Sequence, residues 1–339
     1  MNGRERIMAI FNRKPTDRCG FWKGNPHEET AKTIGNRFNT GTDVLSLSVA
    51  LNDDMMWLAA DWVSWKHPEG KPMFDPYGGK DRDSLGEEGV FGNCTSVEEV
   101  EAYEWPNLDY LDFTEYEKIL DQAREKGLAV CGGMWSCFYH NVADFFGMEN
   151  YFIKMYTDPE VVEAVTNHIV DFYIEANKRC FEALGDKIDI FFFGNDFGSQ
   201  LDLLISPDCF KKFVLPGFEK LVKLGKEYNK KIMLHSCGAI NKAIPLLIDA
   251  GIDALHPLQA NAANMDPKTL SQYKDDIIFV GGIDTQALLP NGTPEQIKAK
   301  VKEITDILGP GLIVSPSHEC LLPDIPLENI LALRDAATE

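Results

Sequence analysis

No run of apolar residues in this 339-residue chain approaches the ~18 needed to cross a bilayer, so no membrane span is expected. The opening MNGRERIMAIF has basic residues but lacks the apolar core and cleavage site of a secretion signal, and reads as a short amphipathic helix. A cytoplasmic protein is the resulting expectation. Positive charge is also short: 33 Lys and Arg stand against 53 Asp and Glu, for a formal net charge of -20. A surface that neutralises phosphates needs the opposite sign, so nucleic acid is not an expected partner. No GxGxxG follows an early strand, which speaks against a dinucleotide fold. Repeats and low-complexity tracts are missing too. Cys19, Cys94, Cys131, Cys137, Cys180, Cys209, Cys237 and Cys320 are dispersed and form no CxxC, so neither a disulfide framework nor a redox pair is expected. Most should be small buried hydrophobes.

What is present is a rhythm. Eight short apolar runs end in polar or Gly-containing stretches: 19–22, 42–48, 127–135, 189–196, 231–237, 253–259, 277–284 and 312–319. Their continuous apolar character suits buried parallel strands. Helical patterns lie between them. Asp158-Pro159-Glu160 opens one that runs to about Leu184, with aspartate as cap and proline in the first turn. Ser206-Pro207-Asp208 opens another, and Thr293-Pro294-Glu295-Gln296 is a capping box ahead of a helix to about Leu308. Eight strands alternating with helices close a barrel. The expected fold is therefore α/β, a (β/α)8 TIM barrel forming one domain over residues 1–339, with an N-terminal helical segment. Residues 52–107 break the rhythm with Trp57, Trp62, Trp65, Phe74, Tyr77, Phe91 and Trp105 among prolines and glycines. They read as an insertion after the second strand, a hairpin and loops covering the barrel mouth. Their aromatics either roof an apolar substrate or anchor the insertion itself.

Barrel enzymes place their chemistry at the C-terminal ends of the strands. The fifth predicted strand ends in His235-Ser236-Cys237-Gly238. Residues i and i+2 of a strand point the same way, so a nitrogen and a sulfur ligand share one face, which is half a zinc site. Gly238 lets the chain turn at once. The eighth strand ends in Ser315-Pro316-Ser317-His318-Glu319-Cys320 at the same barrel face. Cys320 as third ligand gives an N/S/S set with an open fourth position, the catalytic arrangement. Two ordinary buried strand residues would also explain an isolated HxC. A structural zinc with a fourth protein ligand is a further alternative.

Other strand ends supply polar groups. Asp196 ends the fourth and is placed to orient substrate, to donate a proton or to cap its loop. His256 ends the sixth, either as a site residue or as a structural histidine. Asp284 ends the seventh, a candidate hydrogen-bond partner for a ligating histidine. Glu319 neighbours Cys320 and offers a transient fourth ligand. Trp57, Trp62, Trp135, Tyr139, Phe145 and Phe193 are expected near the mouth, where aromatic walls suit an aromatic ring. His27, His140 and His318 receive no role.

His235-x-Cys237-Gly238 followed by Cys320 resembles the zinc-dependent corrinoid methyltransferases of the uroporphyrinogen decarboxylase superfamily. The resemblance runs from GRERIMAIFNRKPTDR through Asn195-Asp196-Phe197-Gly198-Ser199-Gln200 and Ser206-Pro207 to Gly281-Gly282-Ile283-Asp284 and the closing Pro-Ser-His-Glu-Cys. It implies the barrel, a zinc held by His235, Cys237 and Cys320, and methyl transfer to or from a cobamide. A separate corrinoid protein would carry that cobamide, since no stretch here reads as a cobamide domain. A small-molecule methyl donor or acceptor completes the expected partners. The decarboxylases of the superfamily carry an arginine-rich substrate loop near the N-terminus. Cys19 to Pro26 lacks those arginines, which argues against a metal-free decarboxylase. Aromatic residues favour O-demethylation of a methoxylated arene, and transfer from methylcobamide to a coenzyme M-like thiol is the alternative.

Overall fold

Strands buried on both faces need one set of side chains for the barrel interior and another for the surrounding helices. The fourth strand shows how alternation divides them: Ile190 and Phe192 enter the interior cluster, whereas Phe191 and Phe193 pack outward. A computed structural model describes residues 1–80, 84 and 87–339. Its strands are β1 (Gly20–Phe21), β2 (Met55–Trp57), β3 (Ala129–Gly132), β4 (Ile190–Gly194), β5 (Lys231–His235), β6 (Ala254–Leu258), β7 (Ile278–Ile283) and β8 (Leu312–Pro316). They form one parallel sheet in the order β1-β8-β7-β6-β5-β4-β3-β2, the (β/α)8 barrel that the sequence rhythm predicts.

The remaining seam, between β1 and β2, is closed by carboxylates. The Asp54 N–H donates to the Phe21 carbonyl (2.9 Å), and Asp54 Oδ2 accepts the Phe21 N–H (2.9 Å). Beside it, Asp53 Oδ1 accepts the Lys23 N–H at 2.9 Å while Oδ2 pairs with Lys23 Nζ at 2.8 Å. Asp54 also binds Arg6 and Arg18, so two guanidinium groups balance one buried carboxylate. Arg6 belongs to the helix Gly3–Phe11, capped by Asn2 in a capping box with Glu5. Ile7, Ile10 and Phe11 of that helix plug the end of the barrel where the strands begin. Gly20 lets the plug pack closely, since a Cβ there would meet the Ile7 and Ile10 side chains at 3.0 and 3.1 Å.

Three expectations need correction. Residues 42–48 are not the second strand: Asp43 caps Ser46 and starts a helix, Val44–Ala50. The apolar run cannot by itself separate a short buried helix from a strand. The true β2 lies inside 52–107, so the insertion starts after Trp57. Among its described residues are two short helices, Asp61–Ser64 and Val97–Glu101, and a Trp65–Leu111 bridge instead of a hairpin. Residues 81–83, 85 and 86 of it lie outside the described residues. Phe74, Phe91, Tyr103 and Trp105 all pack on Phe145 at 5.3–6.2 Å, so these aromatics anchor the insertion to an outer helix. Third, Asp158 does not cap the Pro159–Leu184 helix; its Oδ2 accepts from Thr157 and Lys154. Among the described residues no helix is long and apolar enough to cross a membrane.

Removing Asp54 would strip the mostly buried Arg18 of its carboxylate partner and leave Arg6 paired with Asp17 alone. Asp54→Ala is expected to lower stability by about 3–5 kcal/mol in urea unfolding. Lys302→Ala, which breaks an exposed pair with Asp306, should change it by less than about 1 kcal/mol. Equal midpoints for the two variants would refute the seam account.

Candidate metal centre

Alternation on β5 sends Met233 and then His235 into the barrel. The chain turns immediately after His235, and neighbours on both sides hold the turn. The Ser236 N–H donates to the His256 carbonyl (2.7 Å), and the Asn195 N–H to the His235 carbonyl (2.9 Å). Asp196 Oδ1 accepts the Cys237 N–H at 2.7 Å, and Gln259 Oε1 accepts the Gly238 N–H at 2.7 Å. Gly238 has φ +89, and a Cβ would lie 2.4 Å from the Gly198 carbonyl oxygen, so no other residue fits.

The result is a tight group around a buried imidazole. Cys237 Sγ is 3.5 Å from His235 Nε2, and Asp196 Oδ1 is 3.3 Å from the same nitrogen. A tetrahedral zinc with its usual bond lengths separates a nitrogen from a sulfur ligand by ~3.6 Å and from an oxygen ligand by ~3.4 Å. The observed spacings match both edges. On the other side of the ring, His256 Nδ1 lies 3.0 Å and Glu319 Oε2 3.6 Å from His235 Nδ1. Among the described residues, Asp196–His235–Cys237 and His235–His256–Glu319 are the triads whose ligand atoms lie within 4.8 Å of one another. Glu319 Oε2 is buried without a hydrogen-bond partner, a carboxylate oxygen that a cation or proton would satisfy.

Cys320 belongs to neither triad. The Asn25 N–H donates to the Glu319 carbonyl and the His27 N–H to the Leu321 carbonyl. Glu319 faces His235, whereas Leu321 packs into the outer core cluster. The Cys320 thiol lies towards the His27 backbone, and the residue lines a pocket with Gln259, Thr285, Ser317 and Leu322. Asp284 is absorbed by its own turn, accepting N–H groups of Gln286, Ala287 and Leu288.

The charges follow from this packing. Burial alone would lower His235 and raise Asp196 and Cys237. Instead Glu319, Asp196 and Cys237 raise the imidazole well above its usual value, and His235 holds Asp196 well below the ordinary carboxylate range. Hydrogen bonds with His235 and His318 likewise draw the Cys237 thiol down. Burial and Glu319 push Cys320 up.

Of the expected mouth aromatics, Trp57, Trp62 and Trp135 gather. Trp57 lies 4.9 Å from Trp62 and 4.7 Å from Trp135, whose ring is 5.5 Å from that of His235. Trp135 lies against Gly194, where a Cβ would come 2.1 Å from its ring. Tyr139 instead packs on Tyr151 and Phe197, Phe145 holds the insertion, and Phe193 faces outward onto Phe191 and Phe218. Gln259 and Trp22 escape sequence reasoning, although a polar residue just past β6 and an indole just past β1 are legible signals.

Residues 88–339 match the model of the uroporphyrinogen decarboxylase (URO-D) family. The chain belongs to the uroporphyrinogen decarboxylase family. Among curated proteins, it is 30% identical over 189 residues to the methylcobamide:CoM methyltransferase MtbA of Methanosarcina mazei, covering 56% of this chain and 52% of that protein. It is also 30% identical over 201 residues to a methylated-thiol–coenzyme M methyltransferase of the same organism, covering 57% and 48%. The chain thus spans about half the length of these curated relatives. A solved methyltransferase structure from Methanosarcina mazei superposes with a TM-score of 0.67 at 17% identity, over 99% of this chain and 98% of that one, a likeness of fold. Within this URO-D barrel, Lys23 stands in the stretch where the superfamily's decarboxylases are expected to carry arginines. It is buried, with its Nζ bound to Asp53 and Ser48 (2.8 and 2.9 Å).

Metal-free protein treated with iodoacetamide at neutral pH is expected to be alkylated at Cys237 first, because its thiol is lowered and partly accessible. Cys320 should follow more slowly. Cys131 and Cys180, buried with their thiols pushed up, should stay unmodified in peptide mass spectra. Alkylation of Cys320 ahead of Cys237 would contradict this electrostatic picture.

Proposed function

We propose that this URO-D family member is a zinc-dependent methyltransferase that moves a methyl group between a small molecule and a cobamide on a separate corrinoid protein. The observation that carries the reading is the His235–Cys237–Asp196 group, whose spacings are those of a tetrahedral zinc site, at the barrel face where such folds place chemistry. His235 and Cys237 supply two ligands. Cys320 is the third in the sequence reading, while Asp196 stands at ligand distance in the present geometry. Zinc held there supplies the lowered thiol pKa that makes a thiol nucleophilic at neutral pH, or Lewis acidity towards an ether oxygen.

The chain's own residues have definable parts in this proposal. Asp196 and Gln259 fix the His235–Gly238 turn so that both ligands are set in advance. Trp57, Trp62 and Trp135 form an apolar wall that orients the substrate and excludes water. Glu319 Oε2, 3.6 Å from Nδ1 on the other side of the His235 ring, sets a negative charge against the ligating imidazole.

A thiol acceptor is the favoured substrate, because the relatives described above are named for transfer to coenzyme M. This reverses the order expected from aromatic content, since three of the six aromatics counted for the mouth lie elsewhere. Demethylation of a methoxyarene stands second, supported by the wall of Trp57, Trp62 and Trp135 beside His235.

Elemental analysis is expected to give about one zinc per chain, lost in Cys237→Ser. With methylcobalamin as donor, thiols should be methylated, and Cys237→Ser should fall at least about a hundredfold while staying folded. Transfer from methoxyarenes to cob(I)alamin with no thiol methylation would select the second reading. A metal-free parent, after zinc is offered under reducing conditions, would remove both.

A further inference from the structure

His256 sits inside the barrel on β6, fully buried between Trp22 and Phe192, with ring centroids 5.2 and 5.5 Å away. Its Nε2 has no hydrogen-bond partner. Among the described residues its side chain makes one hydrogen bond, at 3.0 Å between its Nδ1 and Nδ1 of His235. A buried polar atom left unpaired costs about 1–3 kcal/mol. An apolar side chain of similar size would fill the same space without that cost. Packing therefore does not account for an imidazole at this position.

The hydrogen bond does account for it. Two Nδ1 atoms 3.0 Å apart share one proton, so one ring donates and the other accepts. For His235 to turn an Nε2 lone pair towards Cys237 and Asp196, its own proton must sit on Nδ1. An acceptor must then stand in line with that nitrogen. Glu319 Oε2, at 3.6 Å, is beyond hydrogen-bond distance, whereas His256 Nδ1 is within it. The strand ladder fixes this meeting, since β5 and β6 pair with His235 opposite His256. Asp284, the residue expected to orient a ligating histidine, is occupied by the backbone of its own turn.

We infer that His256 is a positioning residue: it accepts the His235 Nδ1 proton, fixes the tautomer that presents Nε2 to the Cys237 side, and so raises the zinc affinity of that group. The inference rests on the metal reading above. Partners of this kind change metal affinity by about 10–100-fold.

The test is zinc affinity of the full chain, measured by competition with a chromophoric chelator, for the parent and three variants. His256→Asn places a carboxamide oxygen close to the Nδ1 position and keeps an acceptor. His256→Leu and His256→Phe remove it, the second refilling the ring's volume. His256→Asn should bind zinc within about threefold of the parent, and the apolar variants about 10–100-fold more weakly. The melting temperature of the metal-free protein should not fall in at least one apolar variant, which separates positioning from packing. Unchanged affinity in the apolar variants overturns the inference. So does an equal loss in His256→Asn, which would make His256 a ligand itself. A parent that binds no zinc, or a Cys237→Ser variant that binds as tightly as the parent, overturns the metal reading and this inference with it. That failure is distinguishable because it does not depend on His256.

Discussion

Two adjacent carboxylates close this barrel, and the mouth depends on them. Where β1 and β2 would otherwise need a ladder, Asp54 gives its N–H to the Phe21 carbonyl and takes the Phe21 N–H on its side chain. Asp53 does the same service for the Lys23 N–H. Trp22 follows Phe21 and Trp57 ends β2, so the seam also sets the distance between two indoles of the interior wall (6.3 Å). Such a carboxylate is costly to bury alone. Arg6 and Arg18 offset that cost, and Arg6 ties the seam to the helix that plugs the opposite end of the barrel. Closure, plug and mouth are in this way one electrostatic unit.

How much of this was legible depended on whether the signal was local. The strands after residue 127 are long enough for continuous burial to show, and the runs at 189–196 and 231–237 coincide with β4 and β5. The Thr293 box and the Ser206 cap are bonds within one turn, and they are present. Residues 42–48 misled because Leu45 and Leu47 suit a strand face as well as a seven-residue helix. The discriminating mark was Asp43, a capping residue directly ahead of them. β2 itself is three residues long and carries no periodicity to read.

At the site, pairing between strands was invisible to a linear reading. That His235 and Cys237 meet follows from spacing along one chain segment. That Asp196 and Gln259 brace the turn, and that His256 faces His235, follows from the β4–β5–β6 register, which no local pattern encodes. Aromatics behaved likewise. Trp135 reaches the mouth because Gly194 leaves room for its ring, whereas Phe193, one residue before that glycine, alternates outward.

The β8 loop bears on the proposed third ligand. His235 and Cys237 come from one braced turn, so their separation is set before any cation arrives. A third ligand from the β8 loop depends on the register of residues 319–321 against residues 25–27. Gly24 fixes that register, because a Cβ there would come 2.2 Å from the Glu319 carbonyl oxygen. In this register Glu319 faces His235, Leu321 packs into the outer core cluster, and the Cys320 thiol lies against the His27 backbone. Cys320 as a ligand beside His235 would need an arrangement of residues 319–321 other than this one. An N/S/S set would leave Asp196 as the nearest carboxylate to the ligating nitrogen, whereas the present arrangement keeps two carboxylates around the same imidazole. The register of this loop sets which side chain of residues 319–321 faces His235.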